Sequence, residues 1–153
     1  MKVILWFAAI LVMFGAVTSF QLMHFQLPES LDDSVSTHIV ALGGAKVNVV
    51  LARTRTEIEQ GLSGRDPLAR NEGMLFVFDK DDTYAFWMKD MKFSIDIIWL
   101  AVNGTVVDLA ENVSPSTYPQ SFRPKVPARF VLEVPAGFAR EYMVRVGDVA
   151  KLP

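Results

Sequence analysis

From Lys46 to the C-terminus the apolar residues come in runs of strand length, each cut short by a turn former. Lys46–Ala52 (KVNVVLA), Met74–Phe78 (MLFVF), Thr83–Met88 (TYAFWM) and Arg129–Val134 (RFVLEV) suit strands of about four to eight residues and are too short for ordinary helices. Ile95–Val102 and Thr105–Ala110 flank Asn103-Gly104, a pair that tolerates the positive φ angles of a type I′ hairpin turn. The acidic residues Asp79–Asp82 are expected to turn the chain between MLFVF and TYAFWM. Ser114–Pro127 carries four prolines, each lacking the N–H a central strand needs. Two places favour helix. Thr54 and Glu57 form a capping box that predicts a helix over Arg55–Gln60 with Gly61 to end it. The turn Pro135-Ala136-Gly137 leads into a second over Phe138–Met143. Gly147-Asp148 then turns into a last strand, Val149–Leu152. With no βαβ rhythm, the expectation is a mainly β (α+β) domain: a compact, mostly antiparallel, barrel-like sheet with one or two short helices.

A different solvent governs the first residues. Lys2 precedes Val3–Phe20, a run without one charge. As a helix it rises about 27 Å, close to the roughly 30 Å hydrocarbon thickness of a bilayer. It is apolar on every face, so a half-exposed surface helix is excluded. The expectation is a transmembrane helix that stays as an anchor. A cleaved signal is the alternative, although Ala16-Val17-Thr18 and Val17-Thr18-Ser19 make poor small-x-small sites. Either way the lone flanking Lys2 stays inside and the domain is carried across the membrane. Residues 1–27 are thus read as anchor or signal, 28–37 as a tether and 38–153 as one globular β-rich domain. Its location is outside the cytoplasm, membrane-anchored, or secreted or periplasmic after cleavage.

Composition narrows the chemistry. The chain is 51% apolar and 21% charged, which argues against disorder. Its formal net charge of −2 gives no basic excess for nucleic acid. Without cysteine there is no disulfide, thiolate metal site or thiol nucleophile, and His24 and His38, the two histidines, both precede the strands expected from Lys46 onward. Met74, Met88 and Met91 offer soft thioethers of the kind copper(I) takes. With no histidine or cysteine among them they read as core filler, and neither a metal nor a cofactor is expected.

The block Gly61–Leu100 sets its strand pattern around a few ionic residues. Within it and beyond it, GLSGRDPLARNEGMLFVF, FWMKDMKFSIDIIWL, the Asn103-Gly104 hairpin, RFVLEVPAG and VGD follow one another in an order that resembles domain-of-unknown-function family 192. These are small, widespread prokaryotic proteins, often behind a signal or anchor. The resemblance spans roughly Val47 to Leu152 and implies one small, mostly β domain, with no agreed substrate or catalytic residue. The chain departs from the usual G-L-M-x-R in that turn, reading Gly61-Leu62-Ser63-Gly64-Arg65. Ser63 removes a thioether there.

Several residues could carry a site. In Ser94–Leu100, Asp96 shares a face with Ile98 and Leu100, while Ile95, Ile97 and Trp99 share the other. A carboxylate on so apolar a strand needs a cation or N–H donors. Arg65, Lys89 and Arg129 are candidate cations, and Arg65, in the turn upstream, is the expected partner. A structural ion pair and a ligand-binding or acid–base role both fit. Glu133 alternates away from Phe130, Leu132 and Val134, and could join Asp96 as an acid–base or glycosidase-like pair, or simply meet solvent. Trp87 and Lys89 share a face of TYAFWMK, as a stacking platform or as a rim over the core. Tyr118, Arg123 and Lys125 lie in the long proline-rich segment, which is either a binding loop or a cover for a sheet edge.

Three functions follow. The leading one is a membrane-tethered, extracytoplasmic module without catalysis, binding a small-molecule, glycan or peptide ligand through Arg65, Trp87, Lys89, Asp96, Tyr118, Arg123 and Glu133. The second is a hydrolase or lyase acting on an envelope polymer through Asp96 and Glu133. The third is a structural accessory protein of a membrane complex. The relative placement of Asp96 and Glu133 separates the first two, because acid–base chemistry needs both carboxyls on one side of the sheet.

Overall fold

The computed structural model describes residues 38–153. The expected anchor and tether lie outside the described residues, and no helix among the described residues is long and apolar enough to cross a membrane.

The chain runs β1 (His38–Leu42), β2 (Ala45–Ala52), α1 (Arg55–Gln60), β3 (Glu72–Asp82), β4 (Phe86–Trp87), β5 (Ile95–Leu100), β6 (Val106–Val113), a 3₁₀ turn (Pro115–Thr117), β7 (Ser121–Phe122), β8 (Ala128–Pro135) and α2 (Phe138–Glu141). Six strands form one sheet in the order β1-β2-β3-β8-β5-β6, while β4 and β7 pair as a separate ribbon. The class is therefore mainly β, with two short helices, as expected.

The sheet is not closed into a barrel, which corrects the barrel-like expectation. Its edge strands are β1 and β6. The C-terminal segment joins β1 and the start of β6 through isolated bridges, Ala41 to Lys151 and Thr105 to Val149, and bonds to Val106, not as a strand of the sheet. The strand expected over Val149–Leu152 is reduced to these contacts.

The sheet is mostly antiparallel, as expected, but the expected absence of a βαβ unit needs correcting. The pair β2–β3 is parallel, and the other pairings are antiparallel. The capping box forms as expected, with Thr54 and Glu57 each satisfying the other's backbone N–H. Together with the Gly61–Asn71 loop, α1 makes a crossover long enough to bring β3 back alongside β2 in the same sense. One βαβ unit is therefore present.

Three local expectations also shift. MLFVF extends through the acidic residues to Asp82, so Asp79–Asp82 continue a strand rather than turning. TYAFWM contributes only Phe86–Trp87 to a strand, since Tyr84 folds back to stack on Phe78. In the hairpin only Gly104 takes a positive φ, with its N–H bonded to Ala101 C=O. That is a turn closed by a single left-handed glycine rather than a type I′ turn. A side chain at this position would put its Cβ 2.3 Å from Ala150 O.

Both faces of the sheet centre are covered. Every residue of β5 is buried. One face carries Val47, Val49, Leu75, Ile98, Leu132 and Val134 under Phe138 and Ala139 of α2. The other carries Met74, Phe76, Ile97, Trp99 and Val131, with Leu62 and Met88 packed over them. Met74 and Met88 are thus core residues, and Met91 is half-buried beside them.

Candidate ligand-binding cleft

Strand alternation puts the two candidate carboxyls on opposite faces. In the β5–β8 register Asp96 stands across from Val134, and Ile97 across from Glu133. Asp96 therefore points with Ile98 and Leu132 toward α2, and Glu133 points with Ile97 and Val131 to the other side. A two-carboxylate mechanism across one substrate is excluded by this geometry.

Asp96 is fully buried, at 0% exposure. Its partners are backbone amides rather than the expected Arg65. Oδ1 accepts from Asn112 N at 2.7 Å and from Gly137 N at 3.2 Å, and Oδ2 accepts from Ala139 N at 2.8 Å. Local backbone conformation aims these donors. β6 slips register opposite Asp96, between the Ile95–Val113 and Ile97–Ala110 pairs, and Asn112 in that bulge has φ 52. Gly137 precedes α2 with φ 89 and supplies no side-chain cap, so Asp96 caps the start of α2 from across the sheet. Arg65 is exposed, and among the described residues its side chain joins no ion pair or hydrogen bond.

Glu133 has the opposite environment. It is 5% exposed, and among the described residues its side chain has no hydrogen-bond or ionic partner. Its cross-strand neighbours are Met74 and Ile97, with Phe76 and Trp99 one pleat further along. Burial among these apolar groups pushes its carboxyl up from 4.5 to about 8. The charged form is penalised and nothing nearby offsets that.

This carboxyl lies in the lining of a cleft of about 500 Å³. One wall is α1 and the following turn, through Ile58, Glu59, Gln60 and Ser63. The floor is Phe76 and Phe78 of β3, and the far wall is Tyr84, Phe86 and Trp87, with Lys89 and Met91 beyond. Phe76 and Phe86 meet edge-to-face at 4.8 Å, and Phe78 and Tyr84 stack at 3.5 Å. Tyr84 is fixed by its hydroxyl, which donates to Lys80 C=O, and by its own carbonyl, which accepts from Trp99 Nε1. Ser63, at the unusual turn position, donates its hydroxyl to Lys89 C=O at 2.8 Å, and Gly64 N donates to Asp90 C=O. The turn is thereby fastened to the turn that follows Trp87.

The proline-rich loop stands at the rim. Trp87 is 56% exposed and Tyr118 47%, and their rings meet edge-on at 6.2 Å. Pairing of β4 with β7 and a bond from Arg123 Nη1 to Thr83 C=O hold the loop there. Of the seven residues singled out in the sequence, Trp87, Lys89 and Glu133 line the cleft. Tyr118 and Arg123 support its rim, whereas Asp96 faces away and Arg65 is not in the lining. Arg129, the third candidate cation, pairs with Asp81 at 2.6 Å instead. Phe76, Phe78, Tyr84 and Phe86 were missed. Their aromatic type in consecutive strands was the available signal.

The match to the family model for DUF192, described as uncharacterized ACR, runs over residues 38–152. Two solved structures share the fold. A protein described as a proposed transcription regulator from Sinorhizobium meliloti 1021 is 29% identical, with a TM-score of 0.69, over 75% of this chain and 90% of that one. A protein of unknown function from Novosphingobium aromaticivorans DSM 12444 gives the same identity and TM-score, over 75% of this chain and 83% of that one. No curated protein matches the chain.

Proposed function

We propose that this chain, which belongs to domain-of-unknown-function family 192, is a ligand-binding module without catalysis, working through the cleft over Glu133. The observation that carries the reading is the withdrawn Glu133 carboxyl, which lines an aromatic cleft and has no partner among the described residues. Among the described residues no fully buried side-chain oxygen lacks a partner, so the Glu133 oxygens reach the cleft itself. A carboxyl held there against its desolvation cost points to a role beyond stability. A cleft with an apolar, aromatic floor and polar groups placed around it is the usual form of a small-molecule site. Exposed Trp87 backed by Tyr118 adds a stacking face suited to a ring of the ligand.

Tethering belongs to the same proposal. The charge-free run Val3–Phe20 would hold the domain at the outer face of the membrane, or release it there after cleavage. The regulatory description of the Sinorhizobium protein is not extended to this chain. Its 15 basic against 17 acidic residues give little means to displace counterions from a phosphate backbone.

Screening glycans, peptides and small molecules against the protein, with the Trp87 indole NMR signal as reporter, tests the reading. A ligand should shift that signal in the native protein and bind at least tenfold more weakly to Trp87→Ala. Ligands that bind equally well to Trp87→Ala and Glu133→Gln would place the site elsewhere.

A further inference from the structure

We propose that the cleft takes an organic ammonium, a primary or methylated amine on an apolar or aromatic body, and that this cation meets the carboxylate of Glu133. The inference rests on the cleft being a binding site and names the chemistry it selects. Three observations converge on it. Glu133 is 95% withdrawn from solvent by its 5% exposure, and no described residue donates to it. What it lacks is a donor or a positive charge, and an ammonium supplies both in one group. The floor and far wall are aromatic: Phe76, Phe78, Tyr84 and Phe86 line the same cleft. Ring faces attract cations, and more strongly where water is excluded.

Other groups facing the cleft leave that position open. Glu59 is engaged by Arg55 at 2.7 Å, and the Tyr84 hydroxyl by Lys80 C=O. Lys89 is exposed and forms no ion pair with Glu133. An anionic ligand would be placed beside a carboxyl that already resists ionising. A neutral hydroxyl ligand could bond the protonated carboxyl but would draw nothing from the rings as a cation does.

The proton balance makes the proposal measurable. Free Glu133 holds its proton up to about pH 8. On binding, the carboxyl gives that proton to solvent, and the resulting carboxylate pairs with the ammonium, which keeps its own protons. One proton leaves per ligand bound. Affinity should therefore rise about tenfold per pH unit from pH 6 toward 8, level off above, and fall again once the amine loses its own proton.

The probes are benzylammonium and its neutral shape-match, benzyl alcohol. The sample is the full-length protein in detergent micelles, carrying ¹³C-labelled glutamate. The Glu133 Cδ resonance is identified by its absence in Glu133→Gln. At pH 6.5 benzylammonium is expected to move this resonance to its ionised position, with the stated pH dependence of Kd. Glu133→Gln should bind it at least tenfold more weakly. If benzyl alcohol binds as tightly as benzylammonium while Glu133 stays protonated, the ammonium assignment is overturned and the cleft stands as a site for neutral ligands. If neither probe moves the Glu133 or Trp87 signals, the ammonium assignment and the cleft reading fall together.

Discussion

Asp96 and Glu133 sit on paired strands of one sheet, a single residue apart in register, and their surroundings are opposite. Asp96 is met by three backbone amides gathered from β6, the β8–α2 turn and α2 itself. Glu133 is met by methionine, isoleucine and aromatic rings, and by no donor among the described residues. Burial alone therefore says little about what a carboxyl is for. A buried acid whose acceptor sites are filled by the chain is part of the fold's construction. One left unfilled in a cleft lining lowers stability and keeps its binding capacity for something else.

The sharpest way to break this contrast is to remove Asp96. Asp96→Ala leaves three amides unsatisfied where water cannot reach easily, and should lower unfolding free energy by roughly 3–5 kcal/mol. Urea denaturation measures this, and a loss under about 1 kcal/mol would remove Asp96 from its structural role. Replacing Glu133 should act with the opposite sign. Glu133→Leu exchanges a strained carboxyl for an apolar side chain of similar bulk, and near pH 8 should raise stability by about 1–3 kcal/mol while abolishing ligand binding. Destabilisation of similar size would mean that Glu133 has a partner in solution. Trp87→Ala is a smaller test. Half-exposed at the rim, it should change stability by no more than about 1 kcal/mol and act chiefly on binding. Arg65→Gln should be smallest, within about 0.5 kcal/mol, since an exposed side chain with no partner among the described residues has little to lose.

That last prediction reverses the expectation drawn from the sequence, and the reason is instructive. The burial of Asp96 was legible, because Ile95, Ile97 and Trp99 on one side and Ile98 and Leu100 on the other leave a central strand no wet face. Its partner was not. A sequence displays its cations by name, whereas backbone donors exist at every non-proline residue and become specific only when a bulge at Asn112 and a left-handed Gly137 aim them. The face of Glu133 was likewise legible from RFVLEV. Its lack of a donor depends on Met74 and Phe76 arriving from β3 and Ile97 from β5, pairings that alternation does not specify.

The same division holds for the fold. Local chemistry located α1 through its capping box, the hairpin through Asn103-Gly104, and the proline-rich segment as something other than a central strand. Long-range choices were hidden. Nothing in β2 or β3 alone makes their pairing parallel, and nothing in Val149–Leu152 says that it will bridge the edges without closing a barrel. β1 was passed over because HIVAL emerges directly from a polar stretch, with five residues and one strand neighbour.

The most direct test of the contrast is the pH dependence of unfolding in the native protein and in Glu133→Gln. The folded state holds a proton on Glu133 up to about pH 8, whereas the unfolded chain releases it near 4.5. The folded state thus binds more protons across that window, and its stability must fall as pH rises through it, then level off above. Each unit of separation corresponds to about 1.4 kcal/mol, so the decline between about pH 5 and 8.5 should reach a few kcal/mol. Glu133→Gln carries no such proton, so its profile should lie flatter and diverge upward from the native one as pH rises, with the two close near pH 5. Parallel profiles across the whole range would contradict the account, because they would show that Glu133 titrates alike folded and unfolded and is not held in an unfilled, water-poor site.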